Sequence, residues 1–158
     1  MAILAGQRIR ALDFAGYAHA ADPSNISGLG TVTGDVYQTP SPVLGVAFMA
    51  PSSGAVTVTT YARFQSNGST ITRAYAACQL RTGAIIESGV LVAEPDVDQG
   101  AIVVSDVSRD GGASALRVHT DLTPGALYHF VFRSARAGST AGTYSINART
   151  ITVQPWHG

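Results

Sequence analysis

AVTVTTYARFQSNGSTITRAYAACQL, residues 55–80, is the stretch that decides the fold. Val, Thr, Tyr and Phe, which favour strands, recur on both sides of Asn67-Gly68. Because Asn and Gly tolerate the positive φ angles of a two-residue turn, the stretch predicts a β-hairpin in which Phe64 faces Ile71. Both faces of that hairpin would be semi-apolar, which predicts one face in the core and the other against a neighbour. A register shifted by a bulge is the alternative.

Similar strand patterns alternate with turn signals along the rest of the chain after Pro42. Eight strands are predicted, near residues 43–50, 55–66, 69–81, 84–93, 100–107, 113–121, 126–135 and 142–154. Short strands separated by clusters of Gly, Pro, Asn, Asp and Ser predict an all-β fold, an antiparallel β-sandwich of about eight strands. Jelly rolls have eight strands, so we expect a jelly-roll-like sandwich. Immunoglobulin-like connectivity stays open, because a strand count does not fix topology.

The first forty residues differ in character from the remainder. Apolar side chains and arginines are scattered through residues 3–19, and residues 22–35 are crowded with Gly, Ser, Asn, Asp and Pro. We therefore expect an extended N-terminal attachment arm and linker over residues 1–40 and a β-sandwich domain over residues 41–158. The side chains expected to dock on a partner are Ile3, Leu4, Arg8, Ile9, Arg10, Leu12, Phe14 and Tyr17. In the alternative, the arm returns along its own sandwich and covers an edge strand.

The composition predicts self-association. Charged residues make up 13% of the chain and the formal net charge is zero, whereas about a quarter of an average soluble protein is charged. A surface with so little charge favours a homo-oligomer, for which we expect a trimer. Tyr61 and Trp156 are the candidate subunit contacts. The basic residues are all arginine and are scattered, so no nucleic-acid partner is expected.

No arrangement of residues predicts catalysis, and we expect neither a cofactor nor a metal. The four histidines are far apart in sequence, and His129 alternates with aromatic residues as a strand-face residue does. Cys78 is the single cysteine and is expected to be a small buried residue. Glu94, Asp96 and Asp98 could offer calcium ligands, but the same residue types occur in ordinary exposed turns, which is the interpretation we prefer. The chain is therefore not expected to be an enzyme.

Two further observations bear on where the chain acts. No apolar run is long enough to span a bilayer, so no membrane partner is expected. Arg8 and Arg10 interrupt the region where a signal peptide would be apolar, which predicts synthesis in a cytoplasm. The tyrosines are spread along the chain and are expected to pack in the core, with a glycan-stacking platform as the alternative.

The phrases ILAGQRIRALDF, VAFMAPSSGAVTVTTYARF and LTPGALYHFVFR, the last followed by TYSINARTITV, resemble small virion proteins of tailed bacteriophages that infect actinobacteria. Proteins of that kind join an N-terminal attachment segment to a compact β-sandwich, often trimeric, and serve as capsid decoration, minor tail or tail-fibre proteins. The resemblance implies a non-enzymatic virion structural protein, made in the host cytoplasm, with itself and other virion proteins as partners. A chain this short has room for little beyond one anchor and one knob, which favours a decoration or accessory role with the sandwich exposed. The alternative is a receptor-binding or glycan-binding knob of a tail fibre, whose partner would be a host surface glycan.

Overall fold

The fold is an all-β sandwich, seen in a computed structural model that describes residues 17–29, 37–67, 73–103, 110–137 and 143–156. The predicted antiparallel sandwich is confirmed, and each of the eight predicted strands overlaps an observed one. A turn of 3-10 helix, Val97–Gln99, is the helical element of these ranges. The ten described strands are β1 (Ala18–Asp22), β2 (Ile26–Leu29), β3 (Gly45–Met49), β4 (Val56–Asn67), β5 (Arg73–Thr82), β6 (Leu91–Ala93), β7 (Ala101–Val103), β8 (Asp110–His119), β9 (Leu127–Ala137) and β10 (Thr143–Pro155).

Each of the two sheets has five strands. Sheet A has the order β1-β10-β4-β8, and β2 also pairs with β10. Sheet B has the order β3-β9-β5-β6, and β7 also pairs with β5. All of the described pairings are antiparallel. The described outermost strands of sheet A are therefore β1, β2 and β8, and those of sheet B are β3, β6 and β7.

The predicted hairpin between β4 and β5 is wrong, because these strands lie in different sheets. Both edges of β4 are occupied: Val58 lies opposite Val153 of β10 and opposite Arg117 of β8. A turn signal such as Asn-Gly acts only locally, whereas the partners of a strand depend on which edges the whole fold leaves available. Instead of pairing edge to edge, β4 and β5 meet face to face, with the Thr60 hydroxyl 3.0 Å from the Cys78 sulfur.

The core lies between the two sheets and is built from alternate residues of each strand. In sheet A, Val56, Val58 and Phe64 of β4 point inward and are almost fully buried. In sheet B, the inward residues include Phe130, whose ring lies 5.3 Å from that of Phe48. Such aromatic residues supply much of the buried apolar area that stabilises a sandwich.

Strand pairing extends upstream of the predicted domain boundary at residue 40. Residues 18–22 pair with residues 149–153 of β10, and β2 pairs with β10 farther along. Gln38 also forms a two-way backbone bridge with Ser134 of β9. The described part of the arm thus returns along its own sandwich, which is the alternative arrangement of the arm. Attachment through residues 1–40 stays a prediction.

Candidate functional site

Part of the outer side of sheet A forms an uncharged surface, bordered by Arg63 of β4. The register places Thr59 of β4 between Thr152 and Leu116, and the next outward residue, Tyr61, between Thr150 and Ser114. The surface, here called the threonine face, consists of Thr57, Thr59, Tyr61, Ser114, Leu116, Val118, Thr150, Thr152 and Gln154. These side chains carry no formal charge, so an approaching protein surface would not have to desolvate an ion here.

Two aliphatic side chains stand exposed on the threonine face. Leu116 is 63% exposed and Val118 is 38% exposed, both on β8 at the edge of sheet A. The hydroxyl of Tyr61 lies so close to Gly112 that a Cβ atom there would be 2.7 Å away. The glycine therefore leaves room for the tyrosine to lie across β8. Contiguous apolar and uncharged surface of this kind is typical of a protein contact.

The predicted subunit contacts lie at separate positions. Tyr61 is half-buried within the threonine face, and Trp156 follows the last strand, 42% exposed, with its backbone N–H donated to the Ala55 carbonyl. Tyr17, the last of the predicted docking residues, is 64% exposed just before β1. The other predicted docking residues lie outside the described residues: Ile3, Leu4, Arg8, Ile9, Arg10, Leu12 and Phe14.

The tyrosines do not form an exposed stacking platform. Tyr75, Tyr128 and Tyr144 are all buried. The Tyr144 hydroxyl lies 3.0 Å from the Ser134 hydroxyl and accepts a hydrogen bond from the Gln38 side chain, so this ring belongs to the core. The expected role of these aromatic residues in packing fits their positions, and their burial removes them from any glycan-stacking surface.

Cys78, His129 and His119 are buried in packing roles, whereas His19 of β1 is exposed, with its Nδ1 3.0 Å from the Thr152 hydroxyl. Cys78 is buried, as expected, and burial raises the pKa of its thiol to about 12, so the reactive thiolate is disfavoured. His129 is fully buried on the side of β9 that faces away from the core, and its Nδ1 lies 2.9 Å from the Gly83 carbonyl oxygen. His119 packs against the Phe130 ring at 5.1 Å. His157 lies outside the described residues.

Acid should destabilise the fold through His119. Burial, and next the neighbouring Arg117, lower the pKa of His119 from 6.5 to about 4. Between these pH values the unfolded chain binds a proton that the folded chain does not, so folding stability falls as the pH decreases. The free energy of unfolding should drop by up to about 1.4 kcal/mol per pH unit in that window and show no further loss from this residue below it.

Urea unfolding across that pH range measures the effect, with His119→Gln as the matched variant. The variant should lose this part of the pH dependence and keep the remainder. An identical slope in both proteins would contradict the assignment.

The acidic loop after β6 is arranged as a turn. Asp96 Oδ1 accepts the backbone N–H of Asp98 at 2.9 Å, and Glu94 Oε2 accepts a hydrogen bond from the Gln79 side chain at 2.9 Å. Across the residues that the structure describes, no three His, Cys, Asp or Glu side chains are grouped so that they could hold a metal ion. The hydrogen bond between Asp96 and Asp98 is of the kind that the turn interpretation predicts. Likewise, no helix in the described ranges has the length and hydropathy to cross a bilayer.

A buried ion pair joins Asp22 of β1 to Arg149 of β10. Arg149 of β10 is 1% exposed, and its Nη2 lies 2.6 Å from Asp22 Oδ2, with Nε at 3.2 Å from the same oxygen. Nη2 also donates to the Pro42 carbonyl, and the guanidinium lies 5.6 Å from the centre of the Phe132 ring. Hydrogen bonds from Ser24 and from Arg149 lower the pKa of Asp22 to about 2.

Sequence reasoning missed this pair, although one signal was present. Arg149 has the same parity along its strand as Ile151 and Val153, both of which face the core. An arginine at an inward position requires a buried partner, and that requirement could have identified it.

Comparisons with known proteins identify the fold and no family. No protein-family model matches the chain, and no curated protein matches it. A structure of infectious bursal disease virus, Gt strain, is similar with a TM-score of 0.51 and 12% identity, over 87% of this chain and 33% of that one. This chain therefore spans about a third of the viral chain that it matches. The likeness shows a β-sandwich that also occurs in a viral protein.

Two other solved structures are less similar. Eiger TNF from S. frugiperda matches with a TM-score of 0.41 and 9% identity, over 92% of this chain and 96% of that one. The CBM22-1 and GH10 modules of endo-1,4-β-D-xylanase 10B from Clostridium thermocellum, complexed with xylohexaose, match with a TM-score of 0.42 and 12% identity. That match covers 90% of this chain and 29% of the other. Neither likeness carries an inference about function.

Proposed function

We propose that the chain is a non-enzymatic structural protein of a tailed bacteriophage particle, a decoration or accessory protein whose N-terminal residues attach it and whose β-sandwich is exposed. The observation that carries the proposal is the threonine face, which presents uncharged side chains with Leu116 and Val118 exposed among them. A surface of this composition suits contact with another protein better than it suits chemistry on a small substrate. The choice of a bacteriophage particle rests on the sequence resemblance to actinobacterial phage proteins.

The positions of three reactive residues support a non-enzymatic role. His119, His129 and Cys78 are buried and contact protein groups. A general base or nucleophile has to reach a substrate within hydrogen-bonding distance, and these side chains have no such access in the folded chain.

The proposal includes self-association, with a homotrimer as its expected form. Burying an exposed aliphatic side chain contributes about 1.5 to 3 kcal/mol, and Leu116 and Val118 lie on the same face of β8. The residues of the threonine face carry no formal charge, so a contact between copies through them would bury no ion. Sedimentation equilibrium measures the assembly, and a monomer at tens of micromolar would contradict it.

Locating labelled protein on intact particles tests the virion role. Electron microscopy of particles carrying a gold-labelled copy should show label at regular positions on the capsid or the tail. The position of the label also distinguishes a decoration protein on the capsid from a tail component. The geometry of the sheets does not distinguish these two roles. Particles from productive infection that carry no label would overturn the proposal.

A glycan-binding knob is the second candidate function. One observation favours it, a cleft beside β6 that brings a guanidinium, two carboxylates and a tyrosine together.

A further inference from the structure

The cleft lies beside two outermost strands, β6 of sheet B and β8 of sheet A. Its volume is about 570 Å³, and it is an open depression rather than an enclosed cavity. Val92, Pro95 and Tyr37 are among the residues that line it. None of these residues belongs to the threonine face, so the cleft is a separate surface.

Arg117 provides the donors of the cleft. Its register opposite Val58 places it on the inward side of β8, yet its guanidinium lies at the open edge and Nη1 donates to the Glu94 carbonyl at 3.0 Å. That carbonyl is its one hydrogen-bond partner in the described part of the chain. A guanidinium has five N–H donors, so most of them remain for a bound molecule or for water.

Two carboxylates provide acceptors, and each is held in place through one oxygen. Gln79 Nε2 donates to Glu94 Oε2, and the Asp98 backbone N–H donates to Asp96 Oδ1. Within the described ranges the second oxygen of each carboxylate has no protein partner. The cleft therefore combines fixed acceptors with fixed donors, and it carries a formal charge of one negative unit from Arg117, Glu94 and Asp96.

We propose that this cleft binds a neutral saccharide. Hydroxyl groups donate and accept, so vicinal hydroxyls can satisfy a guanidinium and a carboxylate at once. An anion would meet two carboxylates, and a metal ion would meet the guanidinium of Arg117, whereas an uncharged polyol avoids both conflicts. The C–H face of a sugar ring suits the apolar lining residues Val92 and Pro95. This inference rests on the second candidate function and is independent of attachment to a particle.

Binding can be measured on the full chain by titrating galactose, mannose, arabinose and N-acetylglucosamine at millimolar concentrations. Two-dimensional nitrogen–proton NMR spectra should show shifts for residues 92–94, 96 and 117 with at least one of these sugars. Arg117→Met and Asp96→Asn should each weaken that binding by about tenfold or more, because each removes charge-assisted hydrogen bonds. Arg73→Met, at an exposed position at the start of β5, is the matched control and should bind as the native chain does.

The same spectra report whether each variant is folded, and Asp96→Asn keeps the test decisive if Arg117→Met does not fold. Binding should persist after addition of EDTA. The proposal is overturned if no sugar shifts the cleft residues, if both arginine variants bind equally well, or if chelation abolishes binding. Any of these results would leave the particle-labelling experiment unaffected, so failure here is distinguishable from failure of the virion role.

Discussion

Replacing Asp22 with Ala should destabilise the fold by about 3 to 5 kcal/mol, a large part of the stability of a domain of this size. The carboxylate is the counter-ion of Arg149, whose side chain is fully buried. Without it, the guanidinium would keep the Pro42 carbonyl and the Phe132 ring as neighbours and would have no opposite charge. Urea unfolding followed by circular dichroism measures the loss.

The matched control is the double variant Asp22→Ala with Arg149→Met. Removing both charges and filling the site with an apolar side chain should recover most of the lost stability, because the desolvation cost of the buried ion disappears with it. A single Asp22→Ala variant within about 1 kcal/mol of the native chain would contradict the importance of the pair, as would a double variant no more stable than the single one.

The Asp22–Arg149 pair also makes the folding stability depend on pH, in a different pH range from His119. Because the pKa of Asp22 is lowered from 3.8 to about 2, its contribution is complete above the unfolded value and is lost as the pH falls through the folded value. The contribution of His119 is lost in a higher window, between 6.5 and about 4. The two effects can therefore be separated in one pH series.

The strands were predictable from sequence because their signals are local. Alternation of β-branched and aromatic residues with turn residues identified every strand from β3 to β10. Pairing was not predictable in the same way, since β4 obtains its partners from residues at least 45 positions away rather than from β5 across the Asn67-Gly68 signal. Register and partner choice depend on the edges that the completed sheets leave available.

The strands β1 and β2 were missed because their sequences carry little strand propensity. The segment AHAAD of β1 contains no β-branched or aromatic residue. It is extended because β10 offers an edge and because Asp22 meets Arg149, both of which are tertiary effects. The cleft residues Tyr37 and Arg117 were likewise missed, since eighty positions of sequence separate them and only the folded sheets bring them to one place.

Deleting residues 1–16 should abolish attachment to the particle and leave the sandwich folded, whereas deleting residues 1–29 should prevent stable folding. The shorter deletion removes the predicted docking residues from Ile3 to Phe14 and keeps every described strand. The longer one also removes β1, β2 and Asp22, which exposes the edge of β10 and leaves Arg149 without its counter-ion. A cut at residue 40, the predicted domain boundary, should fail for the same reason.

Thermal melting and particle incorporation distinguish the two deletions. Loss of several Ile, Leu and Phe side chains at about 1.5 to 3 kcal/mol each accounts for the expected loss of docking. The full-length variant with Ile9, Leu12 and Phe14 all replaced by Ser should reproduce the shorter deletion, and replacing Arg8 and Arg10 alone should weaken incorporation less, because exposed charges contribute little. If the protein lacking residues 1–16 unfolds, those residues belong to the sandwich, and if it incorporates normally, the docking surface is the threonine face.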